Sequence, residues 1–356
     1  VSSPAPTILI AVPVFEGWDY VAETLESIRA QSFTNMRVLI SVEGGDERSY
    51  EVCRRHAGDP RFELVQQPRR LGWPGNFNWL LSQLREDFLC YWQQDDLCDP
   101  TYLETLLNHA VHHPEAAVVY SDIEHFGSKT SVVQHQSVTG APLSRALEQI
   151  ERSGAVPLRG VIRREAILGA GLIPEGRKQE TVWVVSLARE GELHRIPRTL
   201  YKRRIWLGSL SAKEKRVEQA EAYRVTVDWA LGMLAAALPA AAPADHDRLF
   251  ATIVDRMVVP KAGRRFQFNP KRASEEDRLR LVTEFLREAA RRHGVVPFAR
   301  LIERSDAEAL LLACKEKPAS PAEALMAEAM LNDLAARRGR DLLGRSRAPS
   351  PRSRKN

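Results

Sequence analysis

Apolar residues run almost without interruption through TILIAVPV (7–14), MRVLISV (36–42), FELVQQ (apolar over 62–66), DFLCYWQ (87–93) and AAVVYSD (116–122). Runs of this length predict strands buried on both faces, as in a parallel sheet. Between them the spacing turns helical. Val21, Leu25 and Ile28 mark a helix over 20–30, and a second is expected over 47–56. A Gly/Pro-rich loop (70–76) opens a helix to about position 84, and Pro100 starts another to about position 112. Strand and helix in alternation predict an α/β layer with a mainly parallel sheet. Ligands of such sheets bind at the carboxyl ends of the strands. The loops after Val14, Val42 and Gln93 are therefore expected to share one site.

The pattern weakens from 123 to 158. Two helical patterns follow over 159–188, around the loop GAGLIPEG (169–176), and then two short strands, LHRIP and TLYKRR, within 193–204. After Ser211 the chain is rich in Ala, Leu, Glu and Arg with helical periodicity to about position 340, broken at Pro239, Pro260, Pro270 and Pro318. The expected organisation is an α/β domain over 1–211, a helical region over 212–343 and a disordered basic tail over 344–356.

That tail changes how the charge is read. Of a net +5 for 356 residues, Arg345, Arg347, Arg352, Arg354 and Lys355 supply all five positive charges. The body is neutral, so no nucleic-acid partner is expected. The tail leaves room for weak contact with an acidic membrane surface. Cys53, Cys90, Cys98 and Cys314 have neither metal-site nor disulfide-framework spacing, which points to free thiols in a reducing compartment. No stretch has the length and apolarity of a membrane span, and the first residues lack the basic region of a signal peptide. The expected location is cytoplasmic, with peripheral membrane contact at most.

The stretch YWQQDDLCDP (91–100) raises the chemical question, because two adjacent carboxylates close a buried strand. Asp is common in turns and helix caps; the alternative is that one of the pair holds a cation or a phosphate-bearing ligand. Neighbours on an extended segment face opposite ways, so Asp95 and Asp96 are expected to differ. Lone histidines such as His125, His135 and His194 show no partner spacing and read as surface or packing residues.

AVPVFEGWDYVAETLESIRAQSF (11–33), VLISVEGGDERS (38–49), RRLGWPGNFNWLL (69–81), YWQQDDLCDPTYLETL (91–106), GVIRREAILGAG (160–171) and QETVWVVSLAREGELHRIPRTLYKRR (179–204) resemble, in order and spacing, the family-2 glycosyltransferases of GT-A fold. The resemblance implies a three-layer, Rossmann-like domain. It also implies transfer of a sugar from a nucleotide-diphosphate donor, with inversion, to a glycan or lipid-linked acceptor, with a UDP-sugar as the first candidate donor. It places the donor against Pro13, Val14, Phe15, Glu16, Glu43, Asn78, Gln93 and Gln94, a divalent cation (Mn²⁺ or Mg²⁺) on Asp95, and the catalytic base on Glu180, with Glu175 in reserve. The chain departs from the pattern in four places. Val42-Glu43 stands for the family's Asp-Asp, Gln93 for the first acid of Asp-x-Asp, Gln179-Glu180 for Glu-Asp, and Trp206 for a histidine that can help bind the metal. Gln93 and Trp206 each remove a possible ligand, so the cation is expected to be weakly held. The competing class is a GT-A-like binding or scaffold protein with little turnover. A nucleotidyltransferase would want a Gly-rich, basic phosphate loop after the first strand, which VPVFEGWDY does not supply.

Overall fold

The computed structural model describes residues 5–56, 58–206, 219–258 and 274–345, the last nine and Gln219–Ala220 by backbone alone. The chain divides into two compact units, the first Val1–Glu218 with Ala235–Ala240, the second Gln219–Leu234 with Ala241–Asn356.

In the first unit, β1 (Ile8–Val14), α1 (Val21–Arg29), β2 (Met36–Val42), α2 (Glu47–His56), β3 (Phe62–Gln66), α3 (Gly72–Ser82) and β4 (Phe88–Tyr91) follow the predicted alternation. The order β3-β2-β1-β4 is parallel throughout. Beyond it come β5 (Leu97–Cys98), α4 (Tyr102–His112), β6 (Ala116–Gly127), β7 (Ser131–Val133), α5 (Pro142–Arg152), β8 (Val161–Arg163), α6 (Arg164–Ala170), α7 (Gln179–Glu190) and β9 (Glu192–Ile205). The sheet continues β4-β8-β6-β9-β5, with β8 antiparallel to both neighbours and β6 parallel to β9. It is therefore mixed, with its parallel half on the side that carries β1.

Every β1 residue is buried, and alternate residues enter opposite layers. Ile8, Ile10, Val12 and Val14 join Val21, Leu25 and Ile28 of α1 and Leu103, Leu106 and Leu107 of α4. Leu9 and Ala11 join Phe77 and Leu80 of α3 and Val184 and Leu187 of α7. Each such Ile or Leu contributes about 1.5–3 kcal/mol by leaving water. The uninterrupted hydrophobicity of TILIAVPV follows from this two-sided burial.

Three local outcomes differ from the sequence reading. The 70–76 loop is mostly helix, because α3 begins at Gly72 and its Pro74 lies in the first turn, where a missing N–H costs little. Residues 142–152, where no regular element is expected, form α5, started by Pro142. The two short strands within 193–204 are one strand. Ser121 pairs with Ile196 but Asp122 with Thr199, so Pro197 and Arg198 bulge out, and a second shift leaves Leu200 unpaired before Tyr201.

The second unit is helical among its described residues: most of α8 (Gln219–Ala237), α9 (His246–Val258), α10 (Glu275–His293), α11 (Ala299–Ile302), α12 (Ala307–Glu316) and α13 (Pro321–Arg345). Phe250 of α9 packs 5.6 Å from Phe285 of α10. Ser274 caps α10 in a capping box with Asp277. The expected boundary at Ser211 and nearly all of the expected basic tail lie outside the described residues; Gly344 and Arg345 end α13. Among the described residues no helix is long and apolar enough to cross a membrane, and all four cysteines are free thiols.

Candidate active site

Register brings the three loops together. Val14 lies level with Val42 and Ala11 with Tyr91, so β1, β2 and β4 deliver their last residues to one edge. Side chains then tie the loops to one another. Gln94 clamps the Phe15 backbone from both sides, accepting from its N–H at 2.7 Å and donating to its carbonyl at 2.8 Å. The Thr24 hydroxyl of α1, fully buried, donates to the carbonyls of Gln94 (2.9 Å) and Asp96 (3.1 Å).

Glu16 sits at φ 50°, a left-handed conformation unusual for a non-glycine residue. Its N–H donates to Asp46 Oδ2 at 2.6 Å, while Asp46 Oδ1 accepts from Ser49 N at 3.2 Å. Asp46 thus caps α2 and holds a strained turn at once. Pro13 and Val14 are buried in β1, and Phe15 is half-buried with the Arg70 guanidinium 4.0 Å over its ring.

Glu43, directly after β2, is only 2% exposed. Its Oε2 accepts from Leu71 N at 2.5 Å, and Gly72 N adds a second backbone contact. The helix that begins there has no side-chain cap of its own; Glu43 supplies one from across the sheet. Burial raises the Glu43 pKa above the ordinary carboxylate range, against the opposing pull of these N–H groups and Arg70.

Asn78 is tied to a segment distant in sequence. It donates to the Ile173 carbonyl and accepts from the Ile173 N–H, both at 2.9 Å. Both functions of its amide thus hold the loop before α7. Asn78→Ala is expected to cost about 1–3 kcal/mol of stability with no change in nucleotide affinity, as checked by urea unfolding and calorimetric titration.

The two aspartates part as alternation requires. Asp96 is fully buried, accepting from Tyr201 Oη at 2.7 Å and Arg204 N at 2.8 Å, with Arg159 Nε 3.7 Å away. Burial, with Asp95 adding to it, pushes its pKa up to about 6. Asp95 is half-exposed at the rim, and its Oδ2 accepts from the Trp206 indole N–H at 2.7 Å. Trp206 itself packs edge-on to Tyr20 at 5.0 Å. Gln93, half-buried, starts the turn that carries both acids.

Glu180 occupies the first turn of α7, half-buried. One turn on, Trp183 packs 5.9 Å from Phe77, which packs 4.7 Å from Tyr91, two residues before Gln93. This aromatic chain docks the start of α7 beside the strand that ends in the acids.

Asp46, Thr24 and Arg159 escape the sequence reading. Asp46 was legible as an Asp opening α2, a helix-cap signal. Arg159 carried no local signal. Arg159 and Arg203 lie beneath the acids: burial and Arg159 push the Arg203 pKa down, against the pull of Asp96 and Asp95.

This mixed sheet, with its loops gathered at the β1–β2–β4 edge, defines a GT-A fold. Through residues 9–168 the chain matches the family model for Glycosyl transferase family 2. The S. aureus TarS 1–349 structure in complex with UDP-GlcNAc shares the fold at TM-score 0.59, with 15% identity, over 94% of this chain and 92% of that one. Among curated relatives, EpsH of Bacillus subtilis is 28% identical over 106 residues, 30% of either chain. Glycosyltransferase GlyA of Streptococcus pneumoniae is 25% identical over 107 residues, 30% of this chain and 15% of that one. The chain thus spans a third or less of the length of these relatives.

Proposed function

We propose that the chain is an inverting glycosyltransferase that moves a sugar from a nucleotide-diphosphate donor, a UDP-sugar first, to an acceptor hydroxyl of a glycan or lipid-linked molecule. The observation that carries this reading is the cross-tied edge where Phe15, Glu43 and Asp95 arrive on three strands. Phe15, stacked with Arg70, offers a face to the base. The acceptor oxygen forms its bond to the anomeric carbon as the bond to the diphosphate oxygen breaks on the opposite face. The nucleotide diphosphate leaves with the electron pair, and Glu180 takes the acceptor proton. The TarS complex with UDP-GlcNAc supports a nucleotide-sugar donor by likeness of fold, and the free thiols suit a cytoplasmic setting.

A divalent cation, Mn²⁺ or Mg²⁺, would be held at Asp95. Trp206 engages Asp95 Oδ2, while Tyr201 and Arg204 engage the two Asp96 oxygens. Among the described residues, Asp95 Oδ1 is then the acid oxygen of the pair without a hydrogen-bond donor. One carboxylate oxygen suits a cation carried largely by the donor's own phosphates, where it would stabilise charge on the leaving diphosphate. Trp206→His exchanges an N–H donor for an imidazole lone pair, and is expected to tighten Mn²⁺ binding roughly tenfold or more; titration calorimetry reads this directly.

The same Trp206–Asp95 bond favours a second reading, a nucleotide-sugar-binding scaffold with little turnover. Calorimetry with UDP-, GDP- and dTDP-sugars, with and without Mn²⁺, separates the outcomes. Failure of all donors to bind overturns both readings, and binding without transfer across a broad acceptor panel favours the scaffold.

A further inference from the structure

Far from Asp95 along β9, three histidines meet. His109 lies in the last turn of α4 and His113 directly follows that helix. Their rings stack at 4.1 Å, and His194, near the start of β9, stands across both at 5.2 and 5.4 Å. His109 Nε2 lies 3.0 Å from His194 Nδ1. Ligand atoms of all three lie within 4.8 Å of one another, and His194 forms a second such group with Glu115 and Glu192. Residues 194 and 204 are ten apart on one strand, so this cluster lies roughly 30 Å from the donor edge.

The carboxylates fix the chemistry of the imidazoles. Glu192 Oε2 is 2.9 Å from His194 Nε2, and Glu115 Oε1 is 2.9 Å from His113 Nδ1. An ionised carboxylate only accepts, so each of these nitrogens carries its proton. The other nitrogen of each ring, His194 Nδ1 and His113 Nε2, then carries the lone pair, and His194 Nδ1 faces His109 Nε2. This is the arrangement that orients metal-bound histidines, in which the ring nitrogen away from the metal donates to a carboxylate.

We propose that His109, His113 and His194 form a binding site for a borderline transition metal, Zn²⁺ first, which pins the end of α4 to the start of β9. Imidazole ligands suit Zn²⁺, Cu²⁺ and Ni²⁺ rather than Mg²⁺ or Ca²⁺. Nitrogens about 2.0–2.1 Å from a tetrahedral Zn²⁺ stand about 3.3 Å apart, close to the His109–His194 separation. A fourth position remains for water or for a carboxylate swung from its histidine. The His-x₃-His spacing of 109 and 113 puts both rings on one helical face and was available in the sequence; the third ligand came from a strand eighty residues on.

The untagged full chain, stripped with a chelator, should bind one equivalent of Zn²⁺ at micromolar concentration or below and melt several degrees higher when loaded. Co²⁺ in its place should give the visible absorption of a tetrahedral nitrogen site. His113→Gln, at a half-exposed position, and His194→Gln should each weaken binding at least thirtyfold. His112→Gln and Asp95→Ala should leave it unchanged, the latter separating this site from any cation at the donor edge. Zn²⁺ affinity unaltered in the His113 and His194 variants, or binding only at millimolar concentration, overturns the proposal and leaves a hydrogen-bonded histidine cluster.

Discussion

Glu180→Gln is expected to lower the transfer rate by about 10²–10⁴-fold while leaving donor affinity within about twofold of the parent. Glutamine keeps the shape of the side chain but cannot take a proton at neutral pH. The start of α7 is placed by Trp183 on Phe77, by the Trp183 indole donating to the Gly171 carbonyl at 2.7 Å, and by Asn78 on Ile173, none of which the substitution touches. The helix-end part of the loss, one acid removed from a first turn, costs only about 0.3–1 kcal/mol. Single-turnover kinetics beside calorimetry read both quantities. A variant that retained near-full rate would remove Glu180 as the base and turn attention to Glu175, which lies exposed in the preceding loop.

Asp96→Ala is expected to lower the unfolding free energy by about 3–5 kcal/mol, because it strands buried partners rather than merely removing an acid. Tyr201 Oη and the Arg204 N–H lose their acceptor, and buried Arg159 loses its nearest carboxylate. Urea unfolding followed by tryptophan fluorescence measures the loss. The carboxylate also sets a pH dependence. Its pKa is pushed up to about 6 from an ordinary 3.8, so the fold favours the protonated form. The stability it contributes is fully present below about pH 4 and is lost as pH rises through 6, on the order of 3 kcal/mol. Asp96→Asn, which is neutral at every pH, should flatten that component. Stability curves of parent and variant that run parallel from pH 4 to 7 would show that the group titrates normally.

The parallel half of the sheet was legible because a strand buried on both faces has no polar position to spare, and ILIAVPV shows none. The edge shared by the first, second and fourth strands followed from that alternation, before any contact was known. Other features needed three dimensions. Asn78 and Gln94 read as ligand-binding amides, yet each is held by a backbone segment distant in sequence, Ile173 and Phe15. Glu43 stood among the donor-binding residues by resemblance, and is buried as the cap of a helix that begins twenty-nine residues later. The single strand β9 was read as two because Pro197 interrupts its pattern, and only pairing with β6 reveals continuity. His194 looked solitary, since its neighbours in space lie eighty-one and eighty-five positions earlier.

The irregular pairing in the middle of β9 has an evolutionary consequence. Pro197, Arg198 and Leu200 already stand out of register with β6, while Ile196 on one side and Tyr201 on the other are paired. A residue gained or lost here changes the size of the bulge and leaves both paired stretches in phase. The histidine end and the Asp96 end of the strand can therefore diverge in sequence length independently. Homologous chains should concentrate their insertions and deletions at this point of the sheet, and should keep strict length between Tyr201 and Trp206.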